Sequence, residues 1–374
     1  YQVDFECDMK SATWTWVVDG GITIRKKLAL EQGCNSCLLE WTIDGLVHDA
    51  MLTIRPLVTM RNFHELLAST PDDLQSSAEG TRCCVQRNGQ AMIMESCSGD
   101  WESTCNWWDN FDYPKEMARG QDHTEHALCA GVLRVPISPE SSTVRMKVSL
   151  QESLKPSPPS VDIHSDGDVV ADRLADACRQ FIVKRSHGDG APASVIAGYP
   201  WFADWGRDSL ISLPGLFLKQ ARANEAISML GGFASRIRNG IIPNRFDDSQ
   251  DKAYYNTADA SLWFINAVHA CHESLDDPGS SSDLMLLVQT CRQIVDSYRS
   301  GTDYGIRIDY DGLLMAGIPG EAVTWMDARV NGVGVTARIG KPVELSALWY
   351  NGLRCLAEMV ADPAESAEYK AAAA

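Results

Sequence analysis

The chain of 374 residues carries 33 Lys and Arg against 50 Asp and Glu, a net charge of -17, with 45% hydrophobic and 22% charged residues. Such apolar content supports a large core and excludes disorder as the main state, and no run of about 18 apolar residues suggests a membrane-spanning helix. A negative field repels phosphate backbones and anionic lipid, which argues against nucleic-acid and membrane partners and leaves neutral ligands such as sugars unpenalised.

In chain order, the first 150 or so residues read as strands and tight turns. Trp14–Val18 and Ile22–Ile24 flank Asp19-Gly20-Gly21, Cys37–Ile43 and Met51–Met60 flank Asp44-Gly45, and Arg82–Arg87 and Gln90–Glu95 flank Asn88-Gly89. Each is read as a hairpin, with Val132–Ile137 and Thr143–Leu150 as another pair. The fold expected for residues 1–153 is therefore an antiparallel β-sandwich. Residues 154–168, rich in Pro, Ser and Asp, read as a linker. From 169 to 374 the apolar period becomes 3.6. Val170, Leu174, Ala177, Cys178 and Phe181 share one face; Ile227, Leu230, Ala234 and Ile237 share a second. Leu284, Leu287, Cys291, Ile294 and Tyr298 form a third stripe, and Leu345, Leu348, Trp349, Leu356 and Met359 a fourth. Further helices are expected over Asp208–Lys219, kinked by Pro214, and Thr257–Glu273, making about six. The tail, Tyr369-Lys370 and four alanines, carries no pattern and reads as a frayed end.

Twelve cysteines are scattered without the spacing of a disulfide scaffold. They read as reduced, partly buried thiols of a cytoplasmic protein. Cys34-Asn35-Ser36-Cys37 has no second pair to complete a zinc site, and His269 and His272 share a helix face without a third clear ligand, so packing is the reading for both. No phosphate loop, dinucleotide fingerprint or nucleophile-elbow serine occurs, and neither cofactor nor metal is expected.

Residues able to do chemistry gather in four segments: 197–209, 242–246 with 255–261, 316–328 and 338–344. Arg offers a planar fork of donors, a carboxylate paired acceptors, and Trp an apolar face with one N–H, the groups that hold a pyranose. Cleaving a glycosidic bond needs two carboxyl groups, one protonated to assist the leaving oxygen. Asp327, beside Trp325-Met326, suits the acid role, because apolar surroundings disfavour the charged form. Each residue also has a plain structural reading: Asp208, Asp259 and Glu344 as first-turn acids, Asp204 or Thr257 as caps.

The ordered segments GYPWFADWGRDSLISLPGL, IPNRF, YNTADASLWF, DGLLMAGIPGEAVTWMDARV and GKPVELSALWYNGL resemble the glucosidase part of glycogen debranching enzymes, the amylo-α-1,6-glucosidase family. Arg55-Pro56-Leu57-Val58 and Arg61-Asn62-Phe63-His64 resemble the family's N-terminal β domain. The resemblance implies an (α/α)6 toroid similar to that of glucoamylases (a six-hairpin glycosidase), acting on the α-1,6-linked glucose at a trimmed branch of glycogen or limit dextrin. By motif match it implies Asp327 as general acid and Arg207 and Asp208 as the grip on the terminal glucose. Trp201, Asp204, Trp205, Asn244, Arg245, Asn256, Asp259, Trp325, Lys341 and Glu344 are the further substrate-binding candidates. Ala337 stands where such sequences usually carry Pro. The toroid needs about twelve helices and about six are legible, so the chain is expected to be part of a longer protein, holding the first half of the barrel with the catalytic base beyond residue 374.

Three functions stay open on these residues: an inverting α-1,6-glucosidase, a glycoside phosphorylase on the same fold, which would need a basic anion pocket, and a non-catalytic glucan-binding protein.

Overall fold

The chain divides into two compact units, Tyr1–Val161 and Asp162–Ala374. The computed structural model describes residues 2–8, 10–18, 20–31, 34–62, 65–151, 169–184, 193–199, 202–246 and 253–374. The proposed linker, 154–168, lies outside the described residues.

The first unit is built of antiparallel strands: β1 (Gln2–Cys7), β2 (Ser11–Val18), β3 (Ile22–Leu30), β4 (Ser36–Asp44), β5 (Ala50–Ile54), β6 (Leu57–Val58), β7 (Gln75–Glu79), β8 (Arg82–Arg87), β9 (Gln90–Ser96), β10 (Asp100–Asp112), β11 (Thr124–Ile137) and β12 (Thr143–Leu150). A single helical turn, α1 (Pro114–Ala118), separates β10 from β11. One sheet has the order β1-β2-β3-β4-β12-β9-β8-β7, the other β10-β11-β5 with β6 also on β11. Side chains of both meet in one core: Trp41, Ile43, Val85, Met94, Val144 and Met146 from the first, Trp101, Leu128, Ala130, Leu133, Val135 and Ile137 from the second. Alternate residues of a strand point to opposite faces, so Cys83 is buried while its neighbour Cys84 is partly exposed.

Two of the expected hairpins form. Val18 pairs with Ile22 around glycines at φ 85° and 79°. Arg87 pairs with Gln90 around Asn88 and Gly89, both at positive φ, the geometry that matches strand twist in a two-residue loop. The other two pairs are corrected. β4 pairs with β3 and β12, whereas β5 joins β11 in the other sheet, and Met51–Met60 is broken at Pro56, which cannot donate to a ladder. β11 and β12 likewise separate into different sheets, with the Ser138–Ser141 bridge in the turn between them. Turn residues mark where a strand ends; they do not say which sheet the next strand enters.

Arg61, from the RNFH segment, donates to the buried Glu125 at 2.7 and 3.1 Å, and Tyr113 Oη and the Leu67 N–H add to the same carboxylate. Burial opposes the charge of Glu125, but these donors outweigh it and its pKa is lowered. Tyr113 is pushed up to about 12, by burial first and then by its bond to Glu125.

The second unit carries helices α2 (Val169–Phe181), α3 (Gly206–Leu216), α4 (Ala223–Ala234), α5 (Ala260–Glu273), α6 (Ser282–Ser300), α7 (Val343–Met359) and α8 (Pro363–Ala372). The stripe of α6 is buried as the 3.6 period requires, as is that of α7 apart from the half-buried Leu348, and Tyr298 of α6 stacks on Trp349 of α7 at 6.3 Å. α5 is apolar nearly all round because α3, α4, α6 and α7 all pack on it. α2 forms as predicted, but Val170 and Leu174 of its stripe stay exposed. α4 stops at Ala234, short of Ile237, where the Ser235 hydroxyl caps the Gly232 carbonyl and Asn239-Gly240 turns the chain at positive φ. α3 carries Pro214 internally and ends two residues later, at Leu216, not Lys219. The tail is corrected: Asp362 caps α8, Pro363 starts it, and Tyr369 is buried. The alanine run there is a helix former, legible through its cap and not through a stripe.

Candidate active site

Three loops and two helix starts converge in the second unit. β13 (Ile182–Lys184), β14 (Ala193–Gly198) and β15 (Phe202–Asp204) form one antiparallel sheet that leads into α3. At the junction the Gly206 N–H donates to the Asn244 carbonyl at 2.7 Å, and a bridge joins Trp205 to Arg245. A Cβ at Gly206 would lie 2.3 Å from the Pro243 carbonyl oxygen, so only glycine allows this approach. The Asn244 N–H donates to the Tyr254 carbonyl, and the Ser261 hydroxyl accepts from the Ile242 N–H and donates to the Gly240 carbonyl, fixing the strand to α5. The loop before Asp327 docks on the same helix start: the Ala258 N–H donates to the Val323 carbonyl at 2.7 Å, and Ala322, Val323 and Thr324 are buried beneath it.

This scaffold brings Arg207, Asn244, Asp259 and Asp327 together. Arg207 holds Asp259 through two bonds, Nε–Oδ2 at 2.6 Å and Nη2–Oδ1 at 2.9 Å, and its Nη1 lies 3.5 Å from Asp327 Oδ2. Thr257 Oγ1 donates to Asp259 at 2.8 Å. Asn244 Nδ2 donates to Asp327 Oδ2 at 3.1 Å. Burial works against the Arg207 charge, yet the Asp259 bonds and the neighbouring carboxylates raise its pKa further. Asp208, one residue on, is exposed, but its pKa is raised, by burial first, with Arg207 opposing and Asp327 and Asp259 adding repulsion. One arginine thus faces three aspartates.

Other candidates sit around this centre. The Trp205 ring lies beneath the Arg245 guanidinium at 5.6 Å and meets Phe202 edge-on. Asn256 is half-buried in the tight turn closed by Thr257 N–H to Tyr255 carbonyl. Asp204 is buried against the hydroxyls of Ser194 and Ser209, which hold it inside the fold. Trp201 lies outside the described residues.

A second group forms at the start of α7. Glu344 pairs with Arg338, which lowers its pKa, and Trp325, 55% exposed, lies close enough to add to that lowering. Lys341 is shared by Asp309 and Asp311 at 2.6 and 2.7 Å, which raise its pKa. The Thr324–Asp327 segment therefore turns its aspartate to the Arg207 centre and its tryptophan to Glu344. Sequence reasoning named Lys341 and Glu344 but missed their partners Arg338, Asp309 and Asp311, and missed Thr257 as the buttress of Asp259. The lysine lies about 30 residues beyond Asp311, a distance at which spacing carries no pairing signal.

On the outer part of α5, His269 Nε2 meets Glu358 at 2.9 Å and Glu273 approaches its other nitrogen. Their ligand atoms lie within 4.8 Å of one another, close enough to share a cation. All twelve cysteines are free thiols. No helix of the described residues is long and apolar enough to cross a membrane.

A helical unit that gathers aspartates, an arginine and an asparagine about one centre, with tryptophans in the flanking segments, has the side chains of a carbohydrate-active protein. Residues 176–374 match the family model described as amylo-alpha-1,6-glucosidase, and residues 1–144 that of the glycogen debranching enzyme N terminal. The chain belongs to the amylo-α-1,6-glucosidase family of glycogen debranching enzymes, which are glycosidases. It is 27% identical to the glycogen debranching enzyme of Saccharomyces cerevisiae over 229 residues, 46% of this chain and 15% of that protein, so the match spans only a small part of the relative's length. A solved GH92 family glycosyl hydrolase, CcMan5, aligns over 97% of this chain and 60% of its own at 9% identity and a TM-score of 0.27, a likeness too slight to carry an architecture.

Proposed function

We propose that this chain carries the sugar-gripping and acid-bearing side of an α-1,6-glucosidase site, which removes the glucose left at a branch point of glycogen or limit dextrin. Asp327 is the general acid. The observation that supports this is its position: joined to Asn244 and beside Arg207, while its side chain keeps 20% of its surface open. The proton passes from Asp327 to the glycosidic oxygen. Water, activated by a second carboxylate about 6.5–9.5 Å away, attacks the opposite face and inverts the anomeric carbon. Arg207 approaches Asp327, but its charge is largely answered by Asp259, so Asp327 is not locked in an exclusive pair. Asp208 and the indole of Trp205 border the same centre and suit the terminal glucose. On this reading the helices belong to an (α/α)6 toroid of a cytoplasmic enzyme.

The family match favours hydrolysis, and the site's charge argues against a phosphorylase. Phosphate needs uncommitted cations. Here Arg207 is taken by Asp259, Lys341 by Asp309 and Asp311, and Arg338 by Glu344, while Arg245, the remaining cation of the candidate set, stacks on the rings of Trp205 and Tyr254. The test is glucose release from a branched limit dextrin by the intact protein against Asp327→Asn, which keeps the shape and cannot supply the proton. A loss of about a hundredfold or more is expected. Undiminished release by the variant overturns the assignment.

A further inference from the structure

The two oxygens of Asp327 are not equivalent. Oδ2 accepts from Asn244 Nδ2 at 3.1 Å and has Arg207 Nη1 at 3.5 Å. Oδ1 makes no hydrogen bond to any described residue. A carboxylic acid has one carbonyl oxygen, which accepts, and one hydroxyl oxygen, which donates. Donors gathered on one oxygen make it the carbonyl. We infer that Asn244 is a positioning residue that assigns the proton of Asp327 to Oδ1, leaving Oδ2 fixed as the accepting oxygen. The inference rests on Asp327 being the general acid.

Asn244 itself supports this. Its side chain is buried, 2% exposed, and its own Oδ1 has no partner among the described residues. A buried, unsatisfied amide oxygen costs free energy and needs an explanation. With that oxygen unpartnered, the contact to Asp327 is what orients the amide. Turning it over would set Asn244 Oδ1 against Asp327 Oδ2, acceptor against acceptor. The backbone of Asn244 is held on both sides, by Gly206 and by Tyr254, so the amide is delivered from a rigid element.

In the step, the O–H bond at Asp327 Oδ1 breaks and its proton joins the glycosidic oxygen. The bond from that oxygen to the anomeric carbon breaks, with the electron pair kept by the oxygen, and water supplies the new bond to carbon as it passes a proton to the second carboxylate. The pair left on Oδ1 makes Asp327 a carboxylate, whose charge spreads to Oδ2, where Asn244 and Arg207 already point. Both contacts strengthen as the charge forms and neither has to reorganise, so they act on the transition state more than on the resting acid.

The experiment compares two substrates in the intact protein: branched limit dextrin, whose leaving oxygen needs a proton, and α-glucosyl fluoride, whose fluoride leaves without one. Asn244→Leu should lower kcat on the dextrin about 10- to 100-fold, leave KM within about twofold, and change turnover of the fluoride by no more than about threefold. Asn244→Ala, without the donor and smaller than leucine, is read by the same ratio and covers a failure of the leucine variant to fold. Equal losses on both substrates, or a rise in KM alone, overturn the role of Asn244. Should Asp327→Asn also lose both substrates equally, the general-acid reading itself falls, a result separable from failure at Asn244.

Discussion

Arg207 and Asp259, 52 residues apart in the chain, face each other through two parallel bonds of 2.6 and 2.9 Å, with 12% and 4% of their side chains exposed. The pair ties the first turn of α3 to the start of α5. These two bonds and that of Thr257 take three of the roughly four acceptor positions of the Asp259 carboxylate. Removing one partner leaves a buried charge unanswered, so Arg207→Ala is expected to destabilise the protein by about 3–5 kcal/mol. Arg207→Lys should recover only part of this, because a point charge cannot make both bonds. Urea unfolding of the three proteins checks it; equal stability of the wild type and Arg207→Ala would show that the pair contributes nothing.

Gly206 offers a contrast within one helix. A methyl there would strike the Pro243 carbonyl, whereas Gly215, nine residues on, has open space around its missing Cβ. Gly206→Ala is expected to cost about 1–3 kcal/mol and, by pushing Arg207 away from Asn244, to lower glucose release. Gly215→Ala should instead stabilise by about 0.5–1 kcal/mol through helix propensity. Thermal unfolding of the two variants should move in opposite directions.

Glu125 gives the first unit a pH dependence. Its folded pKa lies below the usual glutamate value of 4.5, so the unfolded chain binds its proton more readily. Stability rises with pH wherever the unfolded state holds more protons, so this contribution is complete above about 4.5 and is lost as pH falls through the folded value. Glu125→Gln is expected to cost about 3 kcal/mol at neutral pH, since Arg61 is left unpaired, and the gap between variant and wild type should narrow in acid. Denaturant midpoints near neutrality and near pH 3 test this; a gap that does not change with pH would sink it.

The sequence by itself determined much of this protein. Alternation of apolar residues, the Asn88-Gly89 turn and the 3.6-residue stripes of α6 and α7 are local, so they could be read before any coordinates, and ordered segments such as those around Arg207 and Asp327 carried the family. Only the tertiary structure decided which strands share a sheet, because the pairings of β4 with β12 and of β5 with β11 join segments far apart in the chain, which local chemistry does not encode. It alone committed Lys341 to Asp309 and Asp311, Glu344 to Arg338, and Asp204 to Ser194, none of which follows from spacing. The same holds for Asp327. Its sequence neighbours are Met326 and Ala328, but its hydrogen-bond partner comes from a segment 83 residues away. An ionisable group answers to what lies within a few ångströms of it, and in a folded chain those atoms are set by packing, not by order along the backbone.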